Sequence, residues 1–398
     1  MRRWLGAVHP ALLVAVVAVA TVLTVVVGLA VTGGSGDGAG HDATGTPARS
    51  GHPSRSTAAA PGAVPAGFEV GVSHGQHSID PGMDEDANAR ALAVLRTLGP
   101  VQNEYIMGWG PQNPEPSPGK YDWGGLDDRM ALVKQSGGLP VLTLAAAPDW
   151  MKGGKAGKTD WGTLAVAPTP AHYDDFAALA VAIATRYPQV RYFQVWDAMV
   201  GFWSDTTNAW DAKAYTTFYN TVYDALKKHD PALHVGGPGT PLDVWHHPGA
   251  DQRSTVRGAW GTADQRGLTA LEYWLAHKHG AQFLTVGTDA TTKDGNHPAA
   301  GTGAQRYRAL GEWLAKRTDL PLWWARIDAS VRKGDPATTP DALRTTLTAM
   351  RDGGARVALF EGPQCADEGY PCVWTATDDA AGGRQTSLAP VLADFRAR

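Results

Sequence analysis

Cysteine is nearly absent: 398 residues contain two, Cys365 and Cys372. So few thiols exclude a cysteine-built metal centre, and the pair, seven apart in CADEGYPC, fits one local disulfide pinning a loop in an oxidising compartment. A surplus of positive charge is missing too. Lys and Arg number 35 against 39 Asp and Glu, a formal net charge of −4, which excludes the basic field that a nucleic-acid partner needs. Histidines do not gather with carboxylates at ligand spacing, so no metal is expected. GGPG at Gly236–Gly239 has neither the GxGxxG spacing nor a P-loop lysine, which leaves no dinucleotide or phosphate site and no expected cofactor.

What is present suffices for one large core. Hydrophobic residues make up 43% of the chain, which argues against disorder, and the length fits a single α/β barrel once tails are set aside. Tryptophan, at 15, outnumbers tyrosine at 11 and phenylalanine at 8; indoles pack cores and also stack on the apolar faces of sugars. The first 31 residues differ in kind. Arg2 and Arg3 precede Ala11 to Val31, an uncharged run long enough to cross a hydrocarbon core as a helix, with the basic end in the cytoplasm. It reads as an uncleaved signal anchor that leaves the C-terminal domain outside a single-pass membrane protein; the alternative is secretion after signal cleavage. Residues 32–66, rich in Gly, Ala, Ser, Thr and Pro, read as a flexible tether, and 67–398 as the folded domain.

From Phe68 onward, short apolar runs alternate with amphipathic stretches, the pattern of parallel strands joined by helices. Strands are expected at Phe68–Ser73, Tyr105–Trp109, Val141–Leu144, Tyr192–Trp196, Leu233–Gly236, Phe283–Val286, Leu322–Trp324 and Val357–Phe360. Helices are expected near Asp84–Leu98, Leu126–Gln135, Ala171–Tyr187, Ala212–His229, Leu268–His279, Gln305–Arg317, Asp341–Asp352 and Leu388–Arg398. Eight such units imply a closed (β/α)8 TIM barrel, an α/β fold whose chemistry lies on the loops after the strands; a doubly wound open sheet is the alternative.

The segments YIMGWG (Tyr105–Gly110), PVLTLAAAPDWMKGG (Pro140–Gly154), YFQVWDAMVGFW (Tyr192–Trp203), VGGP (Val235–Pro238), EYWLAHKHGAQFL (Glu272–Leu284) and LPLWWARIDA (Leu320–Ala329) together resemble the glycoside hydrolases of clan A, and within them actinobacterial proteins related to family 39 β-xylosidases. The resemblance implies a strand-four end reading Trp-Asn-Glu, with Glu as acid/base, and a strand-seven end reading Trp-Ser-Glu, with Glu as nucleophile. Here the two read Trp196-Asp197-Ala198 and Trp324-Ala325-Arg326. Both catalytic glutamates are replaced. Retaining hydrolysis needs two carboxyl groups about 5 to 5.5 Å apart. Alanine can neither protonate nor attack, and an arginine offers only donors and a charge that opposes an oxocarbenium-like transition state.

Among remaining carboxylates, Asp197 occupies the Asn place, and Glu361 follows strand eight. Asp328 could share a face with Arg326, whereas Glu104 is expected before strand two, at the wrong end of the barrel. An ion pair of Arg326 with Asp197 or Glu361 would close the nucleophile pocket; a grip on an anionic ligand such as a uronic acid is the second use. Trp109, Trp150, Trp196, Trp203 and Trp324 fall at or past strand ends and could line a sugar cleft, as could His74. The Pro-rich loop Pro111–Trp123 fits one side of it. Three functions follow: a tethered pseudo-glycosidase that binds a carbohydrate or envelope glycan, an active glycosidase using Asp197 or Glu361, and a structural envelope protein without ligand.

Overall fold

The computed structural model describes residues 63–327, 339–365 and 371–396. The expected anchor, nearly all of the tether, and Asp328 lie outside the described residues. Eight parallel strands close into a barrel: β1 (Glu69–Ser73), β2 (Val101–Tyr105), β3 (Leu139–Leu144), β4 (Tyr192–Val195), β5 (His234–Pro241), β6 (Phe283–Thr288), β7 (Leu322–Ile327) and β8 (Ala355–Glu361). Each pairs with its sequence neighbours, and β8 returns to β1. The α/β barrel is therefore the fold, and the open sheet is excluded.

The helices that follow the strands are α1 (Glu85–Leu95), α2 (Gly124–Ser136), α3 (Tyr173–Arg186), α4 (Ala212–His229), α5 (Gln265–His277), α6 (Ala300–Ala315), α7 (Pro340–Asp352) and α8 (Ala389–Asp394). Their starts are set by local chemistry: Asp84, Asp211 and Thr339 accept the otherwise orphaned amides of Ala87, Ala214 and Ala342. Gly137 ends α2 at φ 73°, a left-handed cap that costs glycine little. Among the described residues no helix is long and apolar enough to cross a membrane.

Strand two is displaced from the expected Tyr105–Trp109. The observed strand, VQNEY, has three consecutive polar residues between Val101 and Tyr105, so it lacks the continuous apolar run that marked the others. The apolar Ile106 and Met107 instead sit buried in the bends after it. This shift matters for every residue near Glu104.

The pleat sorts each strand's side chains between the barrel interior and the helices. Val101, Val141, Tyr192, Phe283, Trp323, Val357 and Leu359 pack together as the inner floor, with the rings of Phe283 and Trp323 stacked 4.3 Å apart. One step toward the strand ends, the inner face turns polar. Asn103 donates to Ser73 Oγ at 2.7 Å and accepts from Thr143 at 2.7 Å. A second apolar shell lies outside the strands, where the helices pack.

Gly71, in β1, is where the first two strands approach most closely: a Cβ there would run into the Val101 carbonyl, which belongs to backbone and cannot yield. Gly71→Ala should cost about 3 kcal/mol by overpacking, read from the denaturant midpoint. Gly295, at φ 82° with open space around it, should tolerate alanine spatially and lose only its backbone preference, about 1 kcal/mol. Equal losses at the two positions would refute the packing argument.

Candidate functional site

The inner files of β2 and β8 run Val101, Asn103, Tyr105 and Val357, Leu359, Glu361. Alternation carries Glu361 to the mouth, and its register partner on β1 is Ser73, itself an inward residue. Arg326 arrives there by a different route. Val286 pairs with Trp324 but Gly287 with Arg326, and on the other side Trp324 and Ile327 pair with Ala358 and Phe360, so β7 carries one extra residue at its end. This bulge reverses the facing that strict alternation from inward Trp323 would give, and turns Arg326 inward.

Asp197 is aimed by a break in the backbone. Trp196, Ala198 and Met199 have φ of 67°, 49° and 50°, and Gly201 has 86°, so β4 ends in left-handed steps that non-glycine residues seldom take. The Trp196 indole holds this turn by donating to the Val200 carbonyl at 2.6 Å.

These routes converge. The Arg326 guanidinium lies between two carboxylates, Nη2 at 3.2 Å from Asp197 Oδ2 and Nε at 2.5 Å from Glu361 Oε2. The three side chains are 32%, 16% and 26% exposed, so the cluster is shielded but open to solvent. At such exposure each contact is worth on the order of 1 kcal/mol. Tyr105 lies buried beneath. Burial, and then the charges of Asp197 and Glu361, push its phenol well above the usual range. Trp109 is half-buried with its ring 4.6 Å from that of Tyr105, so the two form an aromatic pair at the end of β2.

The other tryptophans expected at a cleft divide differently. Trp196 is 2% exposed among Phe176, Phe202 and Phe218, and Trp324 is fully buried against Tyr307 of α6. Both face the helices, so neither can stack on a ligand. Trp150 is pinned by its indole to the Glu115 carbonyl and meets His172 edge-on, which clamps the Pro-rich loop to the loop after β3. Trp203 lies edge-on to Trp210, with the Arg266 guanidinium over its ring at 4.8 Å. Cys365 and Cys372 form the expected disulfide, Cα atoms 5.0 Å apart.

His74 and Glu104 also require correction. His74 is fully buried rather than lining a cleft, with Nδ1 2.8 Å from Ser78 Oγ. Glu104 lies within β2, toward its C-terminal end, but between two inward residues, so it faces the helices. There it lies 3.9 Å from His74 Nε2 and 3.8 Å from Arg129 Nε. Arg129, from α2, also binds Asp80 at 2.7 Å and the carbonyls of Gly75 and Ser78. It ties the loop after β1 to the wall behind the mouth. Sequence reasoning missed Tyr105 as part of the mouth and Arg129 as this tie, and the polar run Gln102–Glu104 gave no periodic signal for the first.

Burial outweighs Arg129 and pushes the Glu104 carboxyl up to about 8, while burial and then Arg129 bring His74 down to about 3. Folded Glu104 therefore keeps its proton where the unfolded chain has lost it, and this contribution to stability falls as pH rises from 4.5 to about 8. His74 acts in the opposite sense: neutral when folded, it loses stability as pH falls from 6.5 toward about 3. Denaturant midpoints across pH should show both slopes, and Glu104→Gln should flatten the alkaline one alone. An unchanged alkaline slope in that variant refutes the assignment.

No protein-family model matches the chain, and no curated protein resembles it significantly. Solved structures do. A monomeric β-xylosidase from Caulobacter crescentus CB15 aligns with TM-score 0.56 and 18% identity over 83% of this chain and 68% of that one. A GH39 enzyme from Xanthomonas axonopodis pv. citri gives 0.54 and 18%, over 82% and 65%. A β-glycosidase from Pyrococcus horikoshii gives 0.53 and 13%, over 84% and 95%. This chain thus spans about two thirds of the first two. At such identities the likeness is one of fold alone: a (β/α)8 TIM barrel.

Proposed function

We propose that this protein is an extracytoplasmic, catalytically inactive glycosidase-type barrel that binds a carbohydrate, with a cell-envelope glycan as its natural partner. One observation carries the reading: a guanidinium sits between the two carboxylates of the mouth. A hydrolase of this fold needs a proton donor and a nucleophile facing a shared space. Here both acids face a fixed cation instead, and that cation opposes the positive charge of the transition state. The extracytoplasmic placement rests on the Arg2, Arg3 and Ala11–Val31 pattern, and Trp109 above Tyr105 supplies the apolar face that sugar rings favour.

A second reading has a specific observation in its favour, because Asp197 and Glu361 do converge. The purified protein should leave aryl β-xylosides, glucosides and arabinosides intact while binding oligosaccharides in calorimetry, with Trp109→Ala weakening binding about tenfold. Turnover abolished by Asp197→Ala or Glu361→Ala would replace the inactive reading with the active one. A folded protein that binds no saccharide would leave a structural envelope role.

A further inference from the structure

We infer that the mouth selects saccharides without acidic groups, either neutral or amine-bearing, and discriminates against uronates. This rests on the carbohydrate-binding reading above and names the ligand class for that site.

An arginine replacing a catalytic glutamate first suggests an anion receptor, since a guanidinium fork matches a carboxylate. The geometry argues otherwise. The Nε edge of Arg326 already meets Glu361, and Nη2 already meets Asp197. A ligand carboxylate approaching this guanidinium would lie beside two carboxylates that already share it, partly desolvated and of like charge. The buried Tyr105 phenol beneath is pushed toward its neutral form and presents no positive charge to compensate.

A second cluster repeats the arrangement on the adjoining part of the rim. Asp243 follows β5 and Asp289 follows β6, the strand next to β7. Lys293 Nζ lies 3.3 Å from the first and 3.7 Å from the second. Burial pushes the Asp243 carboxyl up to about 6, against the pull of Lys293. Among the described residues, each of these two cations at the mouth is thus shared by two carboxylates. Hydroxyl and ammonium groups can donate to such acids without displacing the cation, whereas carboxylates can only compete with them.

The test is a calorimetric panel on the full-length protein with three trisaccharides: neutral xylotriose, the glucosamine trimer and trigalacturonate. The neutral and amine-bearing ligands should bind, and the uronate should bind at least about tenfold more weakly than xylotriose, the size expected of one unbalanced like charge near a surface site. Raising the salt should narrow the gap by screening. Glu361→Gln and, independently, Asp243→Asn should each narrow it too, so the inference survives a folding failure in either one. Uronate binding equal to or tighter than xylotriose would overturn the inference and leave the carbohydrate-binding reading standing. Absence of binding by all three would overturn both.

Discussion

The alternation of side chains across a β-strand is the constraint on which this molecule depends. In a closed parallel barrel each strand sends one file of residues into the interior and the other toward the helices, and the last inward residue of each file reaches the mouth. That rule gives the floor its apolar packing, the middle its Ser73, Asn103 and Thr143 hydrogen bonds, and the mouth Tyr105 and Glu361. It also removes Glu104 from the site although its neighbours on both sides face inward. A carboxyl one position away from the right face is in a different environment altogether: buried, protonated, and tied to the loop after β1 through Arg129.

Two departures from the rule build the charged cluster. The extra residue in β7 rotates Arg326 inward, and the left-handed run after β4 sends the Trp196 indole between helices while leaving Asp197 at the rim. Each left-handed non-glycine residue costs of order 1 kcal/mol or more. Buried aromatic packing of Trp196 and its hydrogen bond to Val200 offset this, since a large buried apolar side chain contributes roughly 2 to 3 kcal/mol. The strain is thus held by the core rather than by the ion pairs.

Much of the architecture was legible in the sequence because it rests on periodicity. The eight strands and eight helices, the Thr339-Pro340 start of α7, and the disulfide follow from local pattern, and α4 matches its expected bounds of Ala212–His229. What periodicity missed was facing. Strand two hides behind the three consecutive polar residues Gln102, Asn103 and Glu104, so the sequence puts Glu104 at the wrong end and Tyr105 at the start of a strand it ends. Trp196 and Trp324 look like cleft residues because they stand at strand ends, yet Trp324 faces the helices by alternation from inward Trp323, and the positive φ at Trp196 goes with an indole packed between helices. Such irregularities leave no periodic trace. Composition offers no substitute, since a tryptophan in the core and one in a cleft are the same letter.

The cluster at the mouth bears on the proposed inactivity through electrostatics, beyond the replacement by Ala198 and Arg326 that the sequence resemblance implies. A carboxylate can assume the role of a lost neighbour if it is able to approach the sugar and titrate near working pH. Asp197 and Glu361 both contact the guanidinium that lies between them, so a sugar approaching either acid would also meet a positive charge, which opposes an oxocarbenium-like transition state. On the proposed reading, the cation that opposes hydrolysis also organises recognition. With its donors directed at the two acids, it fixes their positions, as a rigid receptor requires, and binding to such a preorganised group forgoes the cost of ordering it. The proposed inactivity and the proposed recognition would then be two consequences of one placement, the turning of Arg326 into the barrel.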